Sequence, residues 1–424
     1  MLVSQLAEKL FRLQTALIVL YAVSLPFSLT ASWVIFVLGV ALWLLQIILT
    51  PDRWRAELST LARTPLLVPL AVFACALFVS GLANGGLSEA FISLINLKTL
   101  IVFPWAFHIL ARHKVVKQVA VQALIIVGAL SGVFGAVQQL CNFHPFGYRY
   151  LQATGFLANP MAYAGQMQLV SMLALGILLA GGNKEFSWGM ARKPVFVLLV
   201  VANVAGVLFA GERNAWLGAI AGIMSMTALL SWRALAKCCL ALAVVSVLCW
   251  VIVPVVHTRI AQLGAWQQDI SVRVRLEIWQ ESIKIWRSKP LVGVGIRNYP
   301  HFNIPEAIVP GHSKDINHAH SNYLHILATT GALGLASYLW LWIAALKYII
   351  TALGAKKNST DGERSLCLGI LGGTVALLVA GLFEYNFGTA QVRLAQWFII
   401  AMLPPPAPHH NCQTKTSDLT AGEV

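Results

Sequence analysis

Charge is what this chain has least of. Of 424 residues only 11% are Asp, Glu, Lys or Arg, 58% are apolar, and the mean hydropathy is +0.73. A soluble domain carries about twice that charge, so a set of soluble domains is excluded and the chain reads as one polytopic membrane domain with loops. Acidic residues are the scarcer sign, 16 against 30 Lys and Arg. The seven cysteines (Cys75, Cys141, Cys238, Cys239, Cys249, Cys367, Cys412) form no CxxC pair. Most lie in or beside apolar runs, where cysteine acts as a small apolar residue, so neither a disulfide nor cysteine chemistry is expected. No nucleotide-binding motif and no solenoid-type repeat occurs. No small-residue cleavage site follows a short apolar core near the start, and the first segment reads as a retained anchor.

What is present is a series of apolar runs near the ~20 residues that a membrane crossing needs. Twelve are expected to span, at 13–30, 32–50, 65–83, 88–110, 119–140, 160–181, 194–211, 214–231, 238–256, 322–351, 366–383 and 389–404. The first two are split near Thr30-Ala31-Ser32. The 322–351 run is too long for one straight crossing, and Gly331 and Gly334 are placed to divide it. The expected fold is an all-α polytopic integral membrane protein. Residues 1–256 hold nine transmembrane helices, 257–320 one large outer loop with amphipathic helices, 321–404 three more helices, and 405–424 a disordered cytoplasmic tail.

Lys and Arg set the orientation. With the N-terminus inside, the loops 51–64, 111–118, 182–193, 232–237 and 352–365 all face inward, and all are basic, whereas the short opposite loops 84–87 and 384–388 carry no Lys or Arg. The net charge of +14 is then mainly an orientation signal, and no nucleic-acid partner is expected.

The 257–320 segment is the only substantial one unable to sit in lipid. From Arg275 it reads Arg-Leu-Glu-Ile-Trp-Gln-Glu-Ser-Ile-Lys-Ile-Trp-Arg. Leu276, Trp279, Ile283 and Trp286 fall on one face at helical spacing, which suits a helix lying at the membrane surface. Pro290 and the Gly293–Gly295 pair end it. Arg273 and Arg275 near its start form a candidate anion site with the free backbone N–H groups; the same arginines also suit lipid head groups. Arg213, between two apolar runs at the outer mouth, is costly so close to hydrocarbon and is a functional candidate; pairing with Glu212 is the alternative. His320 follows Asn317, a candidate N-cap. In a first helical turn near arginines its cationic form is disfavoured, leaving it free to accept a proton; a surface histidine is the alternative. His318 and His320 would diverge on a helix, so no metal is expected. Further candidates for lining the site and binding substrate are His318, Asn322, Glu384 and Arg149. Glu384 is placed to orient an arginine or His320, or is a solvated helix end. The loop with Arg149 ends in a turn at 155–160. Lys98, within a run, reads as structural.

Taken together the motifs resemble the bacterial O-antigen ligases, within the wider O-antigen ligase and polymerase group. His320-Ser321, nine residues, Gly331, two residues and Gly334 match the family's pattern in full. Arg275-Leu276-Glu277-Ile278-Trp279 with Pro290-Leu291-Val292-Gly293-Val294-Gly295 matches its arginine helix and glycine segment. Arg213-Asn214-Ala215-Trp216 matches its arginine before a span, with Glu212 where Ser or Thr is usual, and 155–160 matches its Gly-Phe-x-x-Asn-Pro turn. The resemblance implies a glycosyltransferase of the inner membrane with a periplasmic site and no cofactor. It would move O-antigen from undecaprenyl pyrophosphate to a hydroxyl of the lipid A–core oligosaccharide, with inversion. Arg213 and Arg275 would bind the pyrophosphate and His320 would be the base. Three rivals stand beside it. An O-antigen polymerase would use the same donor; a protein-glycosylating oligosaccharyltransferase would usually extend further past the last span; a lipid-linked glycan transporter would line its spans with ionisable residues, of which Lys98 and Arg393 are nearly all there is.

Overall fold

The computed structural model describes residues 2–50, 59–145, 152–181, 186, 193–253, 256–258, 260, 270–301, 317–354 and 360–406. Among them every regular element is helical. In chain order these are α1 (Leu2–Ser24), α2 (Leu29–Leu49), α3 (Leu67–Ile95), α4 (Val102–Leu110), α5 (Lys114–Leu140), α6 (Pro160–Leu179), α7 (Lys193–Phe209), α8 (Arg213–Leu230), α9 (Trp232–Ile252), α10 (Ile270–Ser288), α11 (Asn322–Gly354), α12 (Asp361–Ala380) and α13 (Ala390–Ile400). Seven described helices, α2, α3, α5, α6, α9, α11 and α12, are long and apolar enough to cross a membrane. Arg149, and the tail from 407 onward that was expected to be disordered, lie outside the described residues. The cysteines among the described residues are free.

Local chemistry sets the helix ends. The first break falls earlier than expected, at 25–28 rather than 30–32, because Ser28 is extended and its side chain accepts the Ala31 N–H. Asn159 caps α6 through the N–H groups of Met161 and Ala162, with Pro160 in the first turn where its missing donor costs nothing. Thr360 and Glu363 form a capping box at the start of α12. In α3 the helix turns at Gly85 and Gly86, the latter at φ 71°, and Gly81 packs against the backbone of Ala90 on the returning limb. One element thus contains most of the expected 65–83 run and the start of the 88–110 run.

Between apolar helices in lipid, association depends on close packing by small residues rather than on exclusion of water. The central trio α6, α8 and α12 follows that rule. Gly176 meets Gly369, while Gly218 and Gly222 meet Ala376 and Gly372. A side chain at any of these glycines would strike the facing helix.

The long run at 322–351 is divided as its glycines suggested. α11 bends at Gly331, which has φ 68° and ψ −169°. A bend frees backbone groups, and in an apolar setting each unpaired group costs several kcal/mol. The segment 290–295 pairs with them. Ala332 N donates to Pro290 O at 2.9 Å and Leu333 N to Leu291 O at 3.2 Å; Val294 N donates to Ala328 O at 3.1 Å and Gly295 N to Thr329 O at 2.8 Å. Gly293 and Gly331 sit so close to the opposing backbone that a Cβ on either would collide with it. From α3, Ser80 Oγ donates to Thr329 O at 2.9 Å and the Asn84 amide to Gly293 O at 3.0 Å. The Pro-Leu-x-Gly-x-Gly segment and the His-Ser-x9-Gly spacing are therefore two halves of one brace. It fixes the short helix 322–330, and with it the turn at 317–321.

Candidate active site

Three segments meet at one end of the bundle: α10, the turn 317–321 leading into α11, and the loop 381–389 between α12 and α13. Asn322 joins the last two. Its backbone N–H donates to Gly381 O at 2.8 Å, its side-chain amide to Asn386 Oδ1 at 2.7 Å, and its Oδ1 accepts the Phe387 N–H at 3.0 Å. At 1% exposure, Asn322 is spent on holding the loop and is not on the surface where it was expected to meet substrate.

That loop delivers Glu384 to His320. Glu384 Oε2 lies 3.2 Å from His320 Nδ1, and its Oε1 accepts the Tyr385 N–H at 3.0 Å. The carboxylate is 6% exposed and the imidazole 23%, so one is held inside and the other reaches the surface. Burial alone would raise the Glu384 carboxyl. The hydrogen bond and electrostatic pull of His320, with smaller pulls from His318 and Arg275, outweigh burial and hold it below the ordinary value. A carboxylate on Nδ1 keeps the proton there and leaves Nε2 as the nitrogen able to accept one.

The turn itself differs from the expectation in three ways. Ser321, not Asn317, caps α11, its hydroxyl accepting the Leu324 N–H at 3.4 Å. His320 stands ahead of the helix rather than in its first turn, with a left-handed backbone at φ 46°. His318 and His320 consequently converge, with ring centroids 4.2 Å apart. His318 Nδ1 accepts the His320 backbone N–H at 3.2 Å. Burial, then the charges of His320 and Arg275, lower the His318 pKa to about 4 against the pull of Glu384.

α10 roofs the turn. The face reading Leu276, Trp279, Ile283 and Trp286 is not the buried one: Leu276 is 41% exposed, while Ile278, Ser282 and Ile285 are at 3% or less. The buried side packs with Val294, Tyr299, Ala319 and Ala328. Trp279 Nε1 donates to Ala319 O at 3.0 Å, anchoring the helix to the histidine turn. Arg275 acts through its charge on both Glu384 and His318, and its buried Nε has no hydrogen-bond partner among the described residues. Arg213, at the start of α8, donates to Ser271 Oγ at 3.0 Å. Ser271 precedes Arg275 by one helical turn, so both arginines address the same face of α10. Arg273 is exposed, on another face.

Below the dyad lies a cluster absent from the sequence reading. The buried His325 ring is 4.0 Å from that of Tyr385 and 4.8 Å from that of Tyr299, whose hydroxyl is 2.8 Å from Ser282 Oγ. Ser282, between Ile278 and Ile285 on the buried side of α10, is a polar residue at a core position and a signal in the sequence. Elsewhere, Lys98 lies over the Trp33 ring at 5.1 Å, and Arg393 donates to Asn96 O at 2.8 Å.

The arrangement offers a carboxylate-oriented imidazole at a surface, with the Arg275 guanidinium acting on its partners from α10. The same groups could hold a cation: His318, His320 and Glu384 put three ligand atoms within 4.8 Å of one another, a two-histidine, one-carboxylate set. The sequence argument against a metal, that the histidines diverge, does not hold in this turn.

Residues 195–339 match the family model described as O-Antigen ligase, in keeping with the resemblance carried by the motifs. The matched stretch contains Arg213, Arg275, His318, His320, the glycine brace and the Gly331 bend, but not Glu384. The family is one of glycan transferases of the O-antigen ligase and polymerase type, which act on lipid-linked glycans. No curated protein matches the chain.

Proposed function

We propose that the protein is an O-antigen ligase of the bacterial inner membrane. On this reading it has twelve spans, both termini are cytoplasmic, and its site opens to the periplasm. The five basic loops support that orientation. The donor is a glycan on undecaprenyl pyrophosphate, and the acceptor is a hydroxyl of the lipid A–core oligosaccharide. The observation that carries the reading is the His320–Glu384 pair with Arg275 beside it.

In the proposed reaction His320 Nε2 takes the proton of the acceptor hydroxyl as its oxygen forms a bond to the anomeric carbon. The bond from that carbon to the pyrophosphate oxygen breaks, and the electron pair leaves with the pyrophosphate. Attack from the opposite side inverts the centre through an oxocarbenium-like state. Glu384 steadies the imidazolium that forms. Arg275 and Arg213 neutralise the leaving pyrophosphate with planar, forked donors that lysine lacks, so the leaving group needs no separate acid. Arg273, exposed on the same helix, suits lipid head groups.

The test uses purified protein with lipid-linked donor and lipid A–core acceptor. His320→Ala is expected to abolish transfer without loss of folding, and a chelator to leave the wild-type rate unchanged. A folded, active H320A removes the base from the mechanism. In a strain lacking the gene, loss of all long-chain lipopolysaccharide with glycan left on its carrier fits a ligase; core bearing one repeat unit fits a polymerase instead.

A further inference from the structure

His320 is one of two described non-glycine residues with a positive φ, at 46°. That conformation is disfavoured for a residue with a β-carbon, so its surroundings must hold it. One contact acts on the backbone of His320 itself, the 3.2 Å hydrogen bond from its N–H to His318 Nδ1. A side-chain acceptor at one residue bonded to the N–H two residues on is the pattern of an Asx turn, which normally uses the Oδ1 of Asn or Asp. Imidazole Nδ1 is attached to Cγ just as that oxygen is, so His318 serves as a histidine counterpart. Its ring is fixed in turn, with centroids 4.2 Å from His320 and 5.7 Å from Tyr385.

We propose that His318 is a positioning residue for glycan transfer: its Nδ1 holds the backbone of His320 in the left-handed turn that aims the imidazole at Glu384. The proposal rests on the reading of His320 as the base. It assigns His318 to the aim of that base rather than to substrate. The acceptor nitrogen must be unprotonated. The titratable and charged groups that face it are His320 from the turn, Arg275 from α10, His325 from α11, and Glu384 and Tyr385 from the 381–389 loop.

The experiment compares steady-state transfer by His318→Ala, His318→Asn and His318→Gln with the wild type and with H320A. Ala removes the acceptor. A small misalignment of a catalytic group costs up to about 100-fold in rate, and H318A is expected to lose 10- to 100-fold in kcat, in that range. KM for donor and acceptor should stay within about twofold, because H318A leaves ground-state binding intact. Asn, with its acceptor on Cγ, should restore kcat to within about threefold of wild type by remaking the Asx turn. Gln, whose acceptor lies one bond further out, should not. If H318A fails to accumulate, the Asn and Gln variants carry the comparison alone. Full kcat in H318A, equal loss in H318A and H318N, or a rise in KM at unchanged kcat overturns the proposal; the second pattern would indicate ring packing or a metal ligand, and the third a substrate contact. Failure of the underlying reading is separable. An active H320A removes the base, whereas a dead H320A beside a fully active H318A removes only this role for His318.

Discussion

Replacing Glu384 by Gln changes one charge and almost no shape. In the native site Oε1 accepts the Tyr385 N–H at 3.0 Å and Oε2 faces His320 Nδ1 at 3.2 Å. Gln can keep the first bond only by turning its NH2 group towards His320. Facing a donor, Nδ1 becomes the acceptor, and the imidazole proton moves to Nε2. The nitrogen meant to take the acceptor's proton is then already protonated. A positioned general base contributes roughly 10²- to 10⁴-fold, which is about 3–5 kcal/mol at 1.36 kcal/mol per decade. We expect kcat for E384Q to fall by about that factor. KM for the donor should hold or decrease, because the negative charge removed opposes Arg275. Initial transfer rates in nanodiscs, with thermal unfolding followed in parallel, measure both. A folded E384Q that keeps more than about a tenth of wild-type kcat would refute the tautomer argument, since even the smaller base effect exceeds that loss.

Arg275→Lys keeps the charge but loses the planar fork. The kcat/KM for donor should drop about tenfold or more, less than for Arg275→Ala, in a donor titration; equality of Lys and Arg would argue against pyrophosphate contact. Gly331→Ala puts a side chain on a residue at φ 68° and against the Leu291 backbone. Beyond the roughly 1–2 kcal/mol of backbone strain it must displace the 290–295 brace, so its level in membranes and its melting temperature should both fall. His318 titrates about 4 in the folded protein against an ordinary 6.5, so the unfolded chain binds more protons between those values. Stability therefore rises with pH across that window, is complete above about 6.5, and is lost as pH falls towards 4. Melting temperature measured against pH should show this slope, and the slope should weaken in H318N.

Much of the architecture follows from short stretches of sequence. Apolar runs near the length of a crossing mark the helices: the run read at 160–181 is Pro160–Leu179, and that at 119–140 lies inside Lys114–Leu140. The bend at Gly331 is likewise local, since glycine takes a positive φ without penalty. The resemblance marks His320 through the family's spacing to that bend, and nine residues of helix set its distance from the brace.

The site was only half legible. Asn317 looked like a cap because cap preference is a property of residue type; which candidate is used depends on where the chain leaves the loop, and that exit is set by Asn322 binding Gly381 and Phe387. Periodicity marks Leu276, Trp279, Ile283 and Trp286 as one apolar face of α10 but does not show that the opposite side, with Ile278, Ser282 and Ile285, is the one that meets protein. The sequence leaves the partner of Glu384 open between an arginine and His320, since nothing in it links the carboxylate to a histidine 64 positions away.

Composition, hydropathy and glycine positions thus determined the membrane class, the helical runs and the bend at Gly331, because each depends on a residue and its near neighbours in the chain. The tertiary structure alone decided that His318 turns towards His320, that Glu384 reaches its ring, and that Arg213 and Arg275 share one face of α10. Those are contacts between distant segments. They form only where the brace at 290–295 and the loop at 381–389 bring backbone groups within hydrogen-bonding distance.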